Sequence, residues 1–453
     1  MRARRHWGVA LVLVVAIMLA ACGSSSKKGA STSTTAPGAF HASTTLGTGV
    51  TATTIKVGIS LVDFSCIKQF VTALRENQDK IYGDFIKDVN DNGGIDGRKI
   101  VPVYHSFCPI GSAAAVSLCT KFAEDDKVFA VLGNFVDFSG DAQTCLSKQH
   151  NTVLMTFQLT QAIMNQSPPG LIILPGVNPE RVDSVLVDLM KKQHTLDGKT
   201  VAVLGETTSQ AVVKDSVEPQ LKRLGVKTGT TAILSISGSD TTSAQNQLDS
   251  FIERWKTENV NAIFISGTQV ASQQFVEKLR ADMPGVTLIS DITDVLTYGQ
   301  EEKKAGRNPN PYEGIISADG PTAQEYDKST NWAYCAAIYK KETGKVAPNG
   351  EQVIPIANGK TLDTYGSIND ACQLVTMFHD IATKVGKYLN VPNWVHAADT
   401  FGEIRNMGGG QYASLHTGKY DVSDTFRLEE FDSSLGAKGN WKPLTPLENI
   451  SGS

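Results

Sequence analysis

The chain has 453 residues, of which 41% are hydrophobic and 19% charged, and its formal net charge is −4. Such a length divides into about two to three domains, each large enough to bury a core. This balance excludes a disordered tail-like protein, and a mildly acidic chain with no basic cluster beyond its N-terminus has no electrostatic footprint for nucleic acid.

Arg2, Arg4 and Arg5 precede an apolar run from Val9 to Ala21, which is shorter than a membrane span needs. The run ends in Leu19-Ala20-Ala21-Cys22-Gly23. This ending resembles a bacterial lipoprotein signal peptide, residues 1–21, with its lipobox. The resemblance implies that Cys22 becomes a lipidated N-terminus, holding the protein on the extracytoplasmic face of the cell membrane without spanning it. Removal of the three arginines leaves 39 basic against 46 acidic side chains, a mature charge of −7. Residues 22–53 are rich in Ser, Thr, Ala and Gly and show no apolar period, the composition of a flexible tether with an end-to-end distance of roughly 30 Å.

Folding signals start at Thr54. Ile55, Val57 and Ile59 alternate with smaller or polar residues and then run into Leu61-Val62, a buried strand. Phe70, Leu74, Ile81, Phe85 and Val89 recur at helical spacing, which predicts a helix of about two dozen residues ending at Asn92-Gly93-Gly94. Ile100 to Tyr104 is a second strand, so the three pieces make a right-handed βαβ crossover. The same strand, loop and helix order returns with strands at 128–132 and 153–155 and an exit at 171–174. A second round places strands at 201–204, 231–234, 262–265 and 286–290, with helices between them. Two such α/β sets predict two lobes built on parallel sheets covered on both faces.

The phrase Asp88-Val-Asn-Asp-Asn-Gly-Gly-Ile-Asp-Gly-Arg-Lys-Ile100 resembles the first helix-to-strand connection of the leucine/isoleucine/valine-binding family. These are the branched-chain amino acid class of type I periplasmic binding proteins, and the resemblance extends from about Thr54 to Trp441. It implies two doubly wound parallel-sheet lobes joined by a three-strand hinge. Lobe one would comprise 54–173 with 316–405, lobe two 174–315 with 406–445, and 446–453 a tail. Residues 344–368 form an irregular segment longer than the family usually shows there. The implied function is capture of a small polar ligand, an amino acid or a related compound, between the lobes. Delivery would then be to the permease of an ABC importer. The alternative is a ligand-sensing receptor module that reports to a membrane signalling partner.

In open α/β sheets ligands sit beyond the carboxyl ends of the strands. The loops 62–70, 133–140, 156–161, 205–210, 266–271 and 291–298 are therefore the expected lining. By the resemblance, Leu159, Thr160, Phe138 and Ser139 match lobe-one contacts for a ligand carboxylate, with Ser139 equally suited to capping a helix. Asp291 and Asp294 are candidates for the acidic group that meets a ligand ammonium. Ser209 and Gln269 stand where the family carries aromatic residues. Asp63 stands in a loop that lacks the family's Gly-Pro-hydrophobic-Thr-Gly sequence. These departures point away from a plain branched-chain ligand.

Six cysteines remain after Cys22, an even number that suits an oxidising compartment, and many pairings are possible. Cys335 with Cys372 joins two helical patterns. Cys119 with Cys145 and Cys66 with Cys108 are the pairs taken for the first lobe, free buried thiols being the other possibility. The eight histidines are scattered, and no zincin, nucleophile-elbow, phosphate-loop or dinucleotide motif occurs. The expectation is a binding protein without enzymatic activity, cofactor or metal.

Overall fold

The computed structural model describes residues 42–452, apart from positions 70, 72, 136, 138, 158, 237–240, 292, 293, 351 and 409. The expectations for the leader, Cys22, the tether before residue 42 and Phe138 lie outside the described residues.

The first sheet has five strands in the order Lys99–Phe107, Thr54–Val62, Ala130–Gly133, Val153–Met155, Ile172–Ile173, all parallel. Its central strands are buried along nearly their whole length, as helices on both faces require. Packing is tight enough that Gly58 has no alternative: a Cβ there would stand 2.6 Å from the Phe122 ring. The Gly93-Gly94 phrase ends the helix as expected, and its arginine has a further use. Arg98 is buried and donates to the carbonyls of Gly386 and Lys387, just past the long helix Thr364–Val385.

One helix is shorter than the periodicity predicts. It runs from Gln78 to Asp91, and the chain before it is extended. Ala73–Leu74 pairs with Thr361–Leu362, and Arg75 is drawn away to Asp363 and Asp370. Long-range pairing overrides the local helical spacing there. The long irregular segment is thereby explained in part. Ile354–Pro355, Thr361–Leu362 and Ala73–Leu74 form a three-stranded sheet over the first lobe, and residues from Thr364 on are already helical.

The second sheet follows the order Asn440–Pro443, Thr425–Asp432, Ile316–Asp319, Thr287–Ser290, Ala262–Ser266, Thr200–Glu206, Lys227–Thr228, with Ala232–Leu234 also on Thr200–Glu206. Its middle is parallel, while Thr425–Asp432 runs antiparallel to both its neighbours. The C-terminal residues are not a loose tail: Glu448–Asn449 pairs with Thr425-Phe426 and Ile450 is buried.

Sheet pairing and core membership shift the expected lobe boundaries. Ile316 and Ala318 pack in the second lobe's core, whereas Ile404, Met407, Leu415, Tyr420 and Val422 pack in the first. The return to lobe one therefore begins after Asp319 rather than at 316, and the last crossover comes near 423 rather than 406. Between the lobes, Leu174 runs parallel to Asp421, with hydrogen bonds from Leu174 N to Tyr420 O and from Val422 N to Leu174 O, both 2.8 Å.

Three disulfides join Cys66–Cys108, Cys119–Cys145 and Cys335–Cys372, with Cα separations of 6.0, 6.2 and 5.8 Å. All three follow the pairing taken from the sequence.

Candidate functional site

The loops at the carboxyl ends of the lobe-one strands are held by side chains that satisfy their backbone. Asp137 accepts from Ser139 N, Ser139 Oγ and Ala142 N, so Asp137 caps the turn that opens Asp141–Thr144, and Ser139 serves it as a donor. Thr160 caps the turn Gln161–Met164 through Ile163 N at 3.3 Å, and Leu159 is buried beside it. The two loops touch: at Gly140, with φ 81°, a Cβ would meet the Ile163 side chain at 2.8 Å. Asp63 lies farther along the same edge and caps Phe64–Ile67 through Ser65, whose hydroxyl and amide hold its carboxyl below the usual range. It lines a hollow of about 560 Å³ with Lys68, Arg75, Asn77, Tyr104 and Ser106.

In lobe two the expected residues converge on two anchors. Ser209 Oγ accepts from Glu206 N at 3.0 Å and donates to Ser266 O at 2.7 Å. Gln269, exposed at its side chain, gives its amide to Glu206 at 2.8 Å, and Val270 N does the same at 3.2 Å. Asp291 accepts from Ser266 Oγ at 2.7 Å, and burial pushes its carboxyl up to about 6. Asp294 stands apart from this group, exposed in the first turn of Asp294–Lys304, where a negative charge complements the helix N-terminus.

Glu206 is thus the residue that sequence reading passed over. It is a buried carboxylate closing an otherwise apolar strand, and it gathers the 206–209 and 267–270 loops. The signal was present as a lone acid directly after Val201-Ala-Val-Leu-Gly205. Glu180 is a second omission. Its carboxylate accepts from the amides of Gln161 (2.8 Å) and Ala162 (3.3 Å), so a lobe-two helix reaches across to the lobe-one loop that carries Thr160. Behind it, Arg181 pairs with Asp421 and Asp424 on the adjacent crossover.

Two polar loop sets therefore stand at the carboxyl ends of two parallel sheets, bridged on the hinge side by Glu180 and Arg181. Their groups hydrogen-bond, carry negative charge and cap helices. Among the described residues the one Cys/His grouping, Cys119, Cys145 and His150, has both sulfurs committed to a disulfide.

No family model matches the chain, and no curated protein matches it in sequence. Solved structures do match. A leucine-, isoleucine-, valine-, threonine- and alanine-binding protein from Brucella ovis in its closed conformation aligns with TM-score 0.62 at 12% identity, over 88% of this chain and 96% of its own. A solute-binding protein of an ABC transporter from Rhodopseudomonas palustris BisB5, in complex with 3,4-dihydroxybenzoic acid, gives 0.56 at 15% over 88% and 98%. A fatty acid ABC transporter substrate-binding protein from Thermomonospora curvata gives 0.57 at 16% over 90% and 95%. With two mainly parallel sheets and paired crossovers between them, the chain has the two-lobe type I periplasmic binding fold of these ABC transporter solute-binding proteins.

Proposed function

We propose that the protein is an extracytoplasmic solute-binding protein, anchored by a lipid on Cys22, that holds a small polar solute between its lobes and passes it to an ABC permease. The observation that carries this reading is the opposition of two loop sets at the carboxyl ends of two sheets, joined by parallel crossovers. Such lobes close by hinge motion around what they bind, and preferential affinity for the closed form drives the closure. The residues proposed to meet the solute are Asp63, Ser139, Leu159 and Thr160 from lobe one and Ser209, Gln269, Asp291 and Asp294 from lobe two. The Thr160 hydroxyl, which accepts from Ile163 N and still has a hydrogen to donate, and the acid at 291 suit a solute with an acceptor end and a donor end. Asp63 and Lys68, with Tyr104, give the lobe-one side more polar room than a branched aliphatic side chain needs.

The test is thermal unfolding of the chain from Ala42 onward with amino acids, amides, short peptides, aromatic acids and fatty acids. A ligand at about 100 times its dissociation constant adds roughly 2.7 kcal/mol to the native state. An upward shift that disappears in Thr160→Ala/Asp291→Ala supports the reading. A shift that survives the double substitution places the solute elsewhere.

A further inference from the structure

Behind Asp291 lies a carboxyl that no sequence pattern marks. Asp183, on the helix Pro179–Lys192, is fully buried, and among the described residues no N–H or hydroxyl donates to either of its oxygens. A bare carboxylate in such a place costs several kcal/mol, and ordinarily it is paired with a cation or becomes neutral. The nearby cations are engaged elsewhere. Arg181, two residues away, is committed to Asp421 and Asp424, and Arg427, on a strand packed against this helix, is engaged bidentately by Glu325.

What Asp183 does meet is Asp291, and Glu180 of its own helix adds a further negative charge. Among the described residues no conventional donor reaches the enclosed Oδ1 of Asp291, while Oδ2 accepts from Ser266 Oγ. Two carboxyls that meet out of water share a proton, because both cannot ionise. The surroundings decide who keeps it. Hydrogen bonds from Asp183, Ser266 and the Gly267 amide stabilise charge on Asp291, whereas the carboxyl of Asp183 is pushed far up, first by burial and then by Asp291.

We propose that Asp183 is a positioning residue of the candidate cleft, holding a proton against Asp291 so that lobe two presents one fixed negative charge instead of two. The use of that charge, to receive a cationic or hydrogen-donating end of the solute, rests on the solute-binding reading above. The shared proton does not.

Carbon-13 titration of aspartate carboxyls in the solute-free chain reads the pair directly, with Asp291 assigned by its loss in Asp291→Asn. The wild type should show Asp291 titrating near pH 6. In Asp183→Val, which removes the carboxyl that donates to Asp291, that midpoint should rise by about one unit or more, whereas Asp183→Asn, whose amide donates in its place, should leave it near pH 6. The reciprocal Asp291→Asn, at a partly accessible position, should lower the Asp183 midpoint, which covers the case of a poorly folding Asp183 variant. An Asp291 midpoint in the ordinary aspartate range, one that ignores Asp183→Val, or an Asp183 midpoint that ignores Asp291→Asn overturns the proposal. Because no solute is present, that failure is separate from a failure of the thermal-shift panel.

Discussion

Arg181 shows how one side chain can hold two pieces of chain in place. Its guanidinium is nearly buried and donates to Asp421, to Asp424, and to the carbonyls of Ser423 and Ile450. Arg181→Ala would leave two buried carboxylates with the Lys419 cation and neutral donors from Asn178 and Ser414, and removing one partner of a buried pair costs about 3–5 kcal/mol. Urea unfolding should register a loss at the lower end of that range, since Lys419 remains at 3.2 Å from Asp424. Gly58 carries the opposite kind of constraint. Gly58→Ala must displace the Phe122 ring, so overpacking should destabilise by about 1–3 kcal/mol in the same assay, whereas glycines with open space around them and ordinary backbone angles, such as Gly176, tolerate the exchange sterically. Neither residue stands out in the sequence. An arginine after Asn-Pro-Glu and a glycine inside an apolar strand gain their meaning only from what lies opposite.

At the scale of elements, the strand Thr425–Asp432 reads in sequence as a closing strand with polar teeth. In the sheet it places Glu429 wholly inside, where burial and then Asp319 push its carboxyl up to about 8, against the partial relief of Arg427. The folded state therefore keeps a proton that the unfolded chain releases near pH 4.5. Between pH 4.5 and 8 the native form binds more protons, and this group makes stability fall as pH rises, by at most about 1.4 kcal/mol per pH unit. Glu429→Gln should flatten the profile, checked by denaturant unfolding at pH 5 and pH 8; an unchanged slope would count against a neutral Glu429. The pair Cys335–Cys372 ties the helices Thr330–Thr343 and Thr364–Val385 around a loop of 37 residues. Replacing both by serine should cost about 2–4 kcal/mol, read as a lowered midpoint under non-reducing conditions. Helical periodicity placed these two elements correctly, because each buries an apolar stripe in the same core. It failed at 73–77, where strand pairing with 361–362 and the pull of Asp363 and Asp370 on Arg75 outweigh local preference.

At the scale of the whole molecule, location and clamp are linked. If Cys22 is the lipidated N-terminus, Cys22→Ala should move the protein from the detergent phase to the aqueous phase on phase partition, with the folded body unaffected. The expected tether does not extend to residue 53: Ser43 O accepts from Asn393, Gly47 N donates to Leu389 O, and Val50 is buried in the first lobe's core.

The sequence by itself determined the class of fold. Alternating apolar strands, helices closed by glycine and repeated βα units leave few ways to bury both faces of a sheet, and an even set of cysteines allowed three bridges. Tertiary structure decided where the lobes exchange strands, which acids are buried and which loop residues cap helices. Ser139 and Thr160 look alike in sequence, yet Asp137 does the capping in one loop and Thr160 in the other. Asp183 looks like any helical aspartate until Asp291, more than a hundred positions on, is brought against it. The physical reason is range: backbone preference and apolar period act over a few residues, whereas burial, charge pairing and strand exchange depend on neighbours that only the completed fold supplies.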